Sequence, residues 1–171
     1  MNKKKLIILG VFILILVNIT GIFHDKTLSE EQLKGFVDQH ELDPIDVKNG
    51  DDRTFILVKE GLYTVAHRTA KYDEEFTPYA WTESDPVMVR TISGDIVAAS
   101  VVMEEEISKE AKSVTITYSD GTAETVETDQ SKGAFLLYDG QNESGGVRVA
   151  DVIIRDEMEN VIYEQNEAPT N

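Results

Sequence analysis

Between Tyr72 and Pro86 the chain reads YDEEFTPYAWTESDP, which sets Tyr72, Phe76, Tyr79 and Trp81 among Asp73, Glu74, Glu75, Glu83 and Asp85. Aromatic rings on a loop beside a rigid sheet commonly touch ligands or partners. A ring face attracts a cation and nearby carboxylates add to the pull, so the chemistry on offer is recognition of a cationic ligand or a basic peptide. The competing reading is that the rings fold inward and cap an open sheet face, the usual fate of aromatic side chains in a small domain. Tyr72, Phe76, Tyr79 and Trp81, read as one loop, are the candidate binding residues.

Other chemistry finds less support. Asp43, Asp46, Asp51 and Asp52 cluster, as do Asp139, Asn142 and Glu143. Neither group matches the D-x-[DN]-x-[DN]-G spacing that would bring six to eight oxygens onto calcium, so both read as solvated acidic turns and no metal site is expected. His24, His40 and His67 form no H-x-x-x-H or H-E-x-x-H pattern, and G-x-S-x-G, S-x-x-K and Gly-rich phosphate loops are missing from the sequence. His67 alternates with Tyr63 and Val65, as a half-buried strand histidine would. With no cysteine in the chain, disulfides, thiolate metal sites and cysteine nucleophiles are excluded. No catalytic residue and no cofactor is expected. An envelope hydrolase using a carboxylate pair remains a third reading, because paired acids roughly 5–10 Å apart across a cleft can cleave glycosides.

Charge supplies the topology. Lys3, Lys4 and Lys5 precede every acid, so the rest of the chain sets 13 of the 16 basic residues against all 32 acids, a net of −19. Such a balance opposes nucleic-acid binding, which needs a basic face. Leu6–Phe23 is an uncharged stretch of 18 residues, roughly 27 Å long as a helix and just enough to cross a hydrocarbon core. From Leu6 to Val17 it has no polar face, unlike a helix of a globular core. Its far end shows no A-x-A-like cleavage site, which favours a signal-anchor over a removed signal peptide. By the positive-inside rule the lysines stay in the cytoplasm and the acidic domain is extracytoplasmic. The expected partners are the lipid bilayer and a protein or envelope component. A secreted inhibitor or scaffold, released near Thr20–Phe23, is the alternative.

The elements that must position the aromatic segment follow from pattern. Ser29 and Gln32 form a capping box, Leu28 and Leu33 a hydrophobic staple, and Leu33, Phe36 and Val37 one apolar stripe, so residues 27–40 predict an amphipathic helix packed on the β-domain, with a juxtamembrane stalk as the alternative. Arg53–Lys59 and Tyr63–Ala70 predict a hairpin through Glu60-Gly61-Leu62, with Gly61 at positive φ. Val87–Ile92 and Ile96–Val102 predict a second hairpin. Met103–Lys112 reads as a short helix or linker supported by Glu105 and Lys109 at i, i+4. Ser113–Ser119 and Thr122–Thr128 predict a hairpin with the three-residue loop Ser119-Asp120-Gly121, because that register keeps Val114 opposite Val126 on the apolar face. Ala134–Tyr138, Val147–Arg155 and Val161–Glu164 complete the strands. The run Val152–Ile154 predicts a central strand apolar on both sides.

The segments Val114–Glu127, Ala134–Tyr138 and Asp156–Tyr163 together resemble the C-terminal β-repeat of small membrane-anchored extracytoplasmic proteins of Bacillus-like Gram-positive bacteria. That resemblance covers about a third of the chain and implies a β-domain with no catalytic residue. The expected organisation is a basic stub at 1–5, a transmembrane segment at 6–23, an amphipathic helix and connector at 24–43, and a first β-module at 44–102. A linker or short helix at 103–112, a second β-module at 113–165 and a tail at 166–171 follow. The fold class is mainly β, with antiparallel, sandwich-like sheets in one domain or two small ones.

Overall fold

Ser29 opens the first helix as its spacing predicts. Helix α1 (Glu30–His40) has a complete capping box: the Ser29 hydroxyl accepts the Gln32 N–H, and the Gln32 side chain accepts the Ser29 N–H. Glu41, at φ 53°, ends the helix in a left-handed C-cap. Leu28 and the wholly buried Phe36 pack with Ile56, Val58 and Val65, and Leu33 joins them. Burying a ring of that size contributes roughly 2–3 kcal/mol. The amphipathic stripe thus lies on the β-domain as expected. This computed structural model describes residues 26–68, 71–80, 85–92, 98–128, 131–138 and 147–166. The basic stub, Leu6–Phe23, Trp81, residues 93–97 between the strands of the second expected hairpin, the 139–146 acidic cluster and the tail from 167 lie outside those residues. Among the described residues no helix is long and apolar enough to cross a membrane.

The protein is mainly β, and its described residues form three antiparallel sheets and two helices. The first sheet has the order β1-β2-β3-β4, from β1 (Asp46–Asn49), β2 (Thr54–Val58), β3 (Gly61–Arg68) and β4 (Lys71–Pro78). In the middle sheet β5 (Val87–Ile92), β6 (Ala98–Met103) and β9 (Gly133–Leu137) lie side by side. The third sheet runs β11-β10-β7-β8 and is built from β7 (Ser113–Tyr118), β8 (Ala123–Glu127), β10 (Val149–Arg155) and β11 (Val161–Asn166). Helix α2 (Glu105–Glu110) follows β6, and its Glu105–Lys109 pair closes at 2.6 Å.

Three apolar clusters show how the layers stack. Phe36 and Leu28 of the α1 segment meet the Ile56 face of the first sheet. The opposite face of that sheet, Phe55, Leu57 and Leu62, meets Ala98, Val102 and Phe135 of the middle sheet. The other side of the middle sheet, Val89, Ala99, Val101 and Leu136, meets Val114, Ile116, Val152 and Ile154 of the third. A strand covered on both faces has no reason to alternate. Accordingly every residue of β2 and of β6 is buried. Strand β7, with one face open, keeps strict alternation.

Strands β6 and β9 lie on either side of 103–112 in the sequence, yet pair from Ala98 opposite Leu137 to Val102 opposite Gly133. The middle sheet therefore draws on both expected β-modules. The β7–β8 hairpin has the expected register, Val114 opposite Val126, with Gly121 at φ 87° and its N–H bonded to the Tyr118 carbonyl.

Three expectations need correction. The first hairpin turns through Lys59 and Glu60, since Val58 pairs with Gly61, and Gly61 is not at positive φ. Close approach is what requires glycine there: a Cβ on Gly61 would lie 2.3 Å from the Thr77 carbonyl oxygen and 2.8 Å from the Phe76 ring. Strand β10 is central, between β7 and β11, but it buries Val152 and Ile154 on one face while Ile153 is half-exposed on the other. Most of the first half of the Tyr72–Pro86 segment is strand, not loop, because β4 adds to the β3 edge over its whole length. An edge strand needs only one bonded side, so its acids and terminal proline are tolerated.

Candidate functional site

Alternation along β4 divides its side chains. Tyr72, Glu74 and Phe76 share the face that carries α1; Asp73, Glu75 and Thr77 share the other. The antiparallel register sets Tyr72 opposite His67, Glu74 opposite Val65 and Phe76 opposite Tyr63. Helix α1 then adds Phe36 and His40, one turn apart on its inner side.

The product is a continuous row of rings. The Phe76 and Tyr63 centroids are 4.5 Å apart. Tyr63 meets Phe36 edge-on at 5.8 Å, and Phe36 stacks on His40 at 4.4 Å. Phe36 also meets Tyr72 edge-on at 5.3 Å, and Tyr72 meets His67 at 5.9 Å. Polar contacts lock the row to the helix: the Tyr72 hydroxyl donates to the Gln32 carbonyl at 3.1 Å, and His40 Nε2 lies 3.3 Å from the Glu74 carboxylate. One end of the row is open. Phe76 is 41% exposed and, apart from half-buried Tyr72, all of β4 is exposed. An exposed ring that shares its face with Glu74 can hold a cation while that carboxylate holds neighbouring positive charge, and Asp73 and Glu75 add negative charge on the other face of the strand.

The four candidate residues therefore separate. Tyr72 and Phe76 come together on one face. Tyr79 turns to the opposite side of the first sheet and packs with Phe55, Leu57, Leu62 and Phe135 at 8% exposure. Its hydroxyl shares a hydrogen bond with the Ser100 hydroxyl, and the Arg90 guanidinium lies 5.9 Å from its ring centre. Burial pushes its phenol above the usual tyrosine range, more than the Ser100 bond and Arg90 lower it. Trp81 lies outside the described residues. Tyr63, His40 and Phe36 were missed as companions of Phe76. Their signal was present in part, since Phe36 and His40 have i, i+4 spacing, but which strand they would meet depends on how α1 crosses the sheet.

Elsewhere the chemistry is thinner. Among the described residues no three His, Asp or Glu side chains converge as metal ligands. Of the first acidic cluster, Asp46 is engaged by backbone: it accepts the N–H groups of Val47 and Phe135. A cleft of about 470 Å³ lies between the end of α2 and the β10–β11 turn, lined by Lys109, Lys112, Asp156, Glu157 and the 78%-exposed Met158. Its charges are mixed and its walls open, which favours no one ligand. No protein-family model matches the chain, and no curated protein or solved structure matches it.

Proposed function

We propose that the protein is a single-pass membrane protein, cytoplasmic at its N-terminus, whose acidic β-domain stands outside the membrane as a non-catalytic binding or sensing module. The supporting observation for binding is the exposed Phe76 ring, set on Tyr63 beside the His40–Glu74 pair and flanked by further acids. The supporting observation for topology is the order of Lys3–Lys5, an uncharged Leu6–Phe23 and a strongly acidic remainder. The three stacked sheets read as sandwich-like, a rigid support suited to display. In this reading the tether is short. Lys26 follows Phe23 by three residues, at most about 10 Å of chain. It bridges His67 through backbone hydrogen bonds of 3.3 and 2.8 Å. The His67 end of the first sheet then faces the bilayer, and Phe76, four residues further along β4 from Tyr72, faces away from it.

Membrane flotation and protease treatment of intact cells stripped of their wall test the topology. The expected result is a full-length chain that floats with membranes and whose acidic domain is digested from outside. A soluble chain in the culture medium that lacks Leu6–Phe23 would establish the secreted alternative instead.

A further inference from the structure

We propose that the outer edge of β4 receives an extended, basic segment of a partner polypeptide as an added strand. The proposal rests on the reading of the β4 face as a binding surface and specifies what that surface takes. Strand β4 pairs with β3 through one edge, and among the described residues no strand pairs with the other. The phase of the free edge follows from one bond. The Tyr79 N–H donates to the Glu60 carbonyl at 2.8 Å. Antiparallel pairs alternate between bonded and non-bonded, so Thr77, Glu75, Asp73 and Lys71 direct their backbone groups at β3. Tyr72, Glu74 and Phe76 then direct N–H and C=O outward, a run of donors and acceptors that an incoming strand can use. Pro78 has no N–H and ends the run.

Charge decides the occupant. A second copy pairing antiparallel about Glu74 would set Asp73 against Glu75 and Glu74 against itself, acid on acid at three successive positions. A strand with three consecutive Lys or Arg residues there meets an opposite charge on both faces. Apolar or aromatic residues flanking the three cations would lie beside the Tyr72 and Phe76 rings, which share the Glu74 face. The partner is thus an extended segment with a short basic run between apolar residues.

The test uses the full chain in nanodiscs of zwitterionic phosphatidylcholine, with empty nanodiscs as blank, and a fluorescein-labelled peptide TVKKKVT read by anisotropy. Two comparison peptides are TVEEEVT and a TVKKKVT methylated on alternate backbone nitrogens, which keeps the charge and removes strand pairing. The chain variant is Asp73→Lys with Glu75→Lys, both exposed. Binding of TVKKKVT, weakened roughly tenfold or more by backbone methylation and by the double variant and undetected for TVEEEVT, supports the proposal. Equal binding of the methylated peptide with loss in the double variant overturns strand addition while leaving β4 a binding surface. No binding of TVKKKVT, or binding unchanged by the double variant, overturns both.

Discussion

Asp46 joins two sheets through Phe135. Its Oδ2 accepts the Phe135 N–H at 2.9 Å, and its Oδ1 accepts the Val47 N–H at 2.8 Å. The first bond runs from β1 of the first sheet to β9 of the middle sheet, across the layer that also holds the Phe55–Phe135 ring stack. From sequence, Asp46 belonged with Asp43, Asp51 and Asp52 as a solvated acid. Half-buried between strands, it has a structural role instead. Asp46→Ala should cost about 1.5–3 kcal/mol, the usual worth of a hydrogen bond to a charged group, with Asp46→Asn retaining part of it. Urea unfolding of the two variants checks this; a change within error for Asp46→Ala would show the tie to be dispensable.

Tyr79 and Phe76 should behave oppositely. Tyr79→Ala removes a ring from the interface of two sheets and leaves the Ser100 hydroxyl without that partner, so a loss of about 3–5 kcal/mol is expected. Phe76→Ser, at a 41%-exposed position, should cost about 1 kcal/mol or less. Thermal melts of the two variants separate a structural aromatic from one available to a ligand. Similar losses for both would remove the distinction.

Alkaline stability follows from the buried phenols of Tyr118 and Tyr79 and the half-buried phenol of Tyr163. Tyr118 is 1% exposed, and its hydroxyl has no partner among the described residues. Burial and then the Glu124 carboxylate push its ionisation well above the usual tyrosine range; Tyr163 is raised by burial and by Asp85, and Tyr79 by burial. Each group stays protonated in the folded protein at pH values where the unfolded chain has released its proton. The stability they contribute is intact below about pH 10 and is lost as pH rises toward the native values. Urea midpoints measured from pH 8 to 11 should fall above pH 10. Tyr118→Phe should make that fall shallower and be neutral or stabilising at pH 8, since it deletes an orphaned polar atom. A steeper fall would contradict the assignment.

Gly61 and Gly121 are needed for different reasons. Gly121 has open space where a methyl group would stand but a φ of 87°, so Gly121→Ala should cost about 1 kcal/mol of backbone strain. Gly61→Ala must move β4 backbone, because the Thr77 carbonyl oxygen occupies the space of the new methyl. The expected loss is about 1–3 kcal/mol or more, the range of overpacking. Protection of β4 amides from hydrogen exchange should drop in Gly61→Ala alone; equal behaviour of the two variants would refute the contrast.

Local rules were legible in the chain before any fold was known. The Ser29–Gln32 box, the Glu105–Lys109 pair and the Ser119–Gly121 loop each depend on residues within five positions of one another, and each is present, while Leu28 and Leu33 join one apolar cluster. Alternation identified β7 because that strand has one wet face. It could not describe β2 or β6, whose continuous apolar runs arise only when sheets cover both sides. The aromatic segment misled for a related reason: acids and prolines resemble a loop until a neighbouring strand supplies the pairing edge, and β3 does so for β4.

By itself the sequence determined the charge division between Lys3–Lys5 and the acidic remainder, the capping box of α1 and the register of the β7–β8 hairpin, since all of these are set by composition or by short-range spacing. Only the tertiary structure decided that Tyr72 and Phe76 share a face while Tyr79 is buried behind it, and that Phe36, His40 and Tyr63 complete the row. Those outcomes depend on which layer lies against which face, a choice made by burial of whole sheets against one another rather than by any local preference.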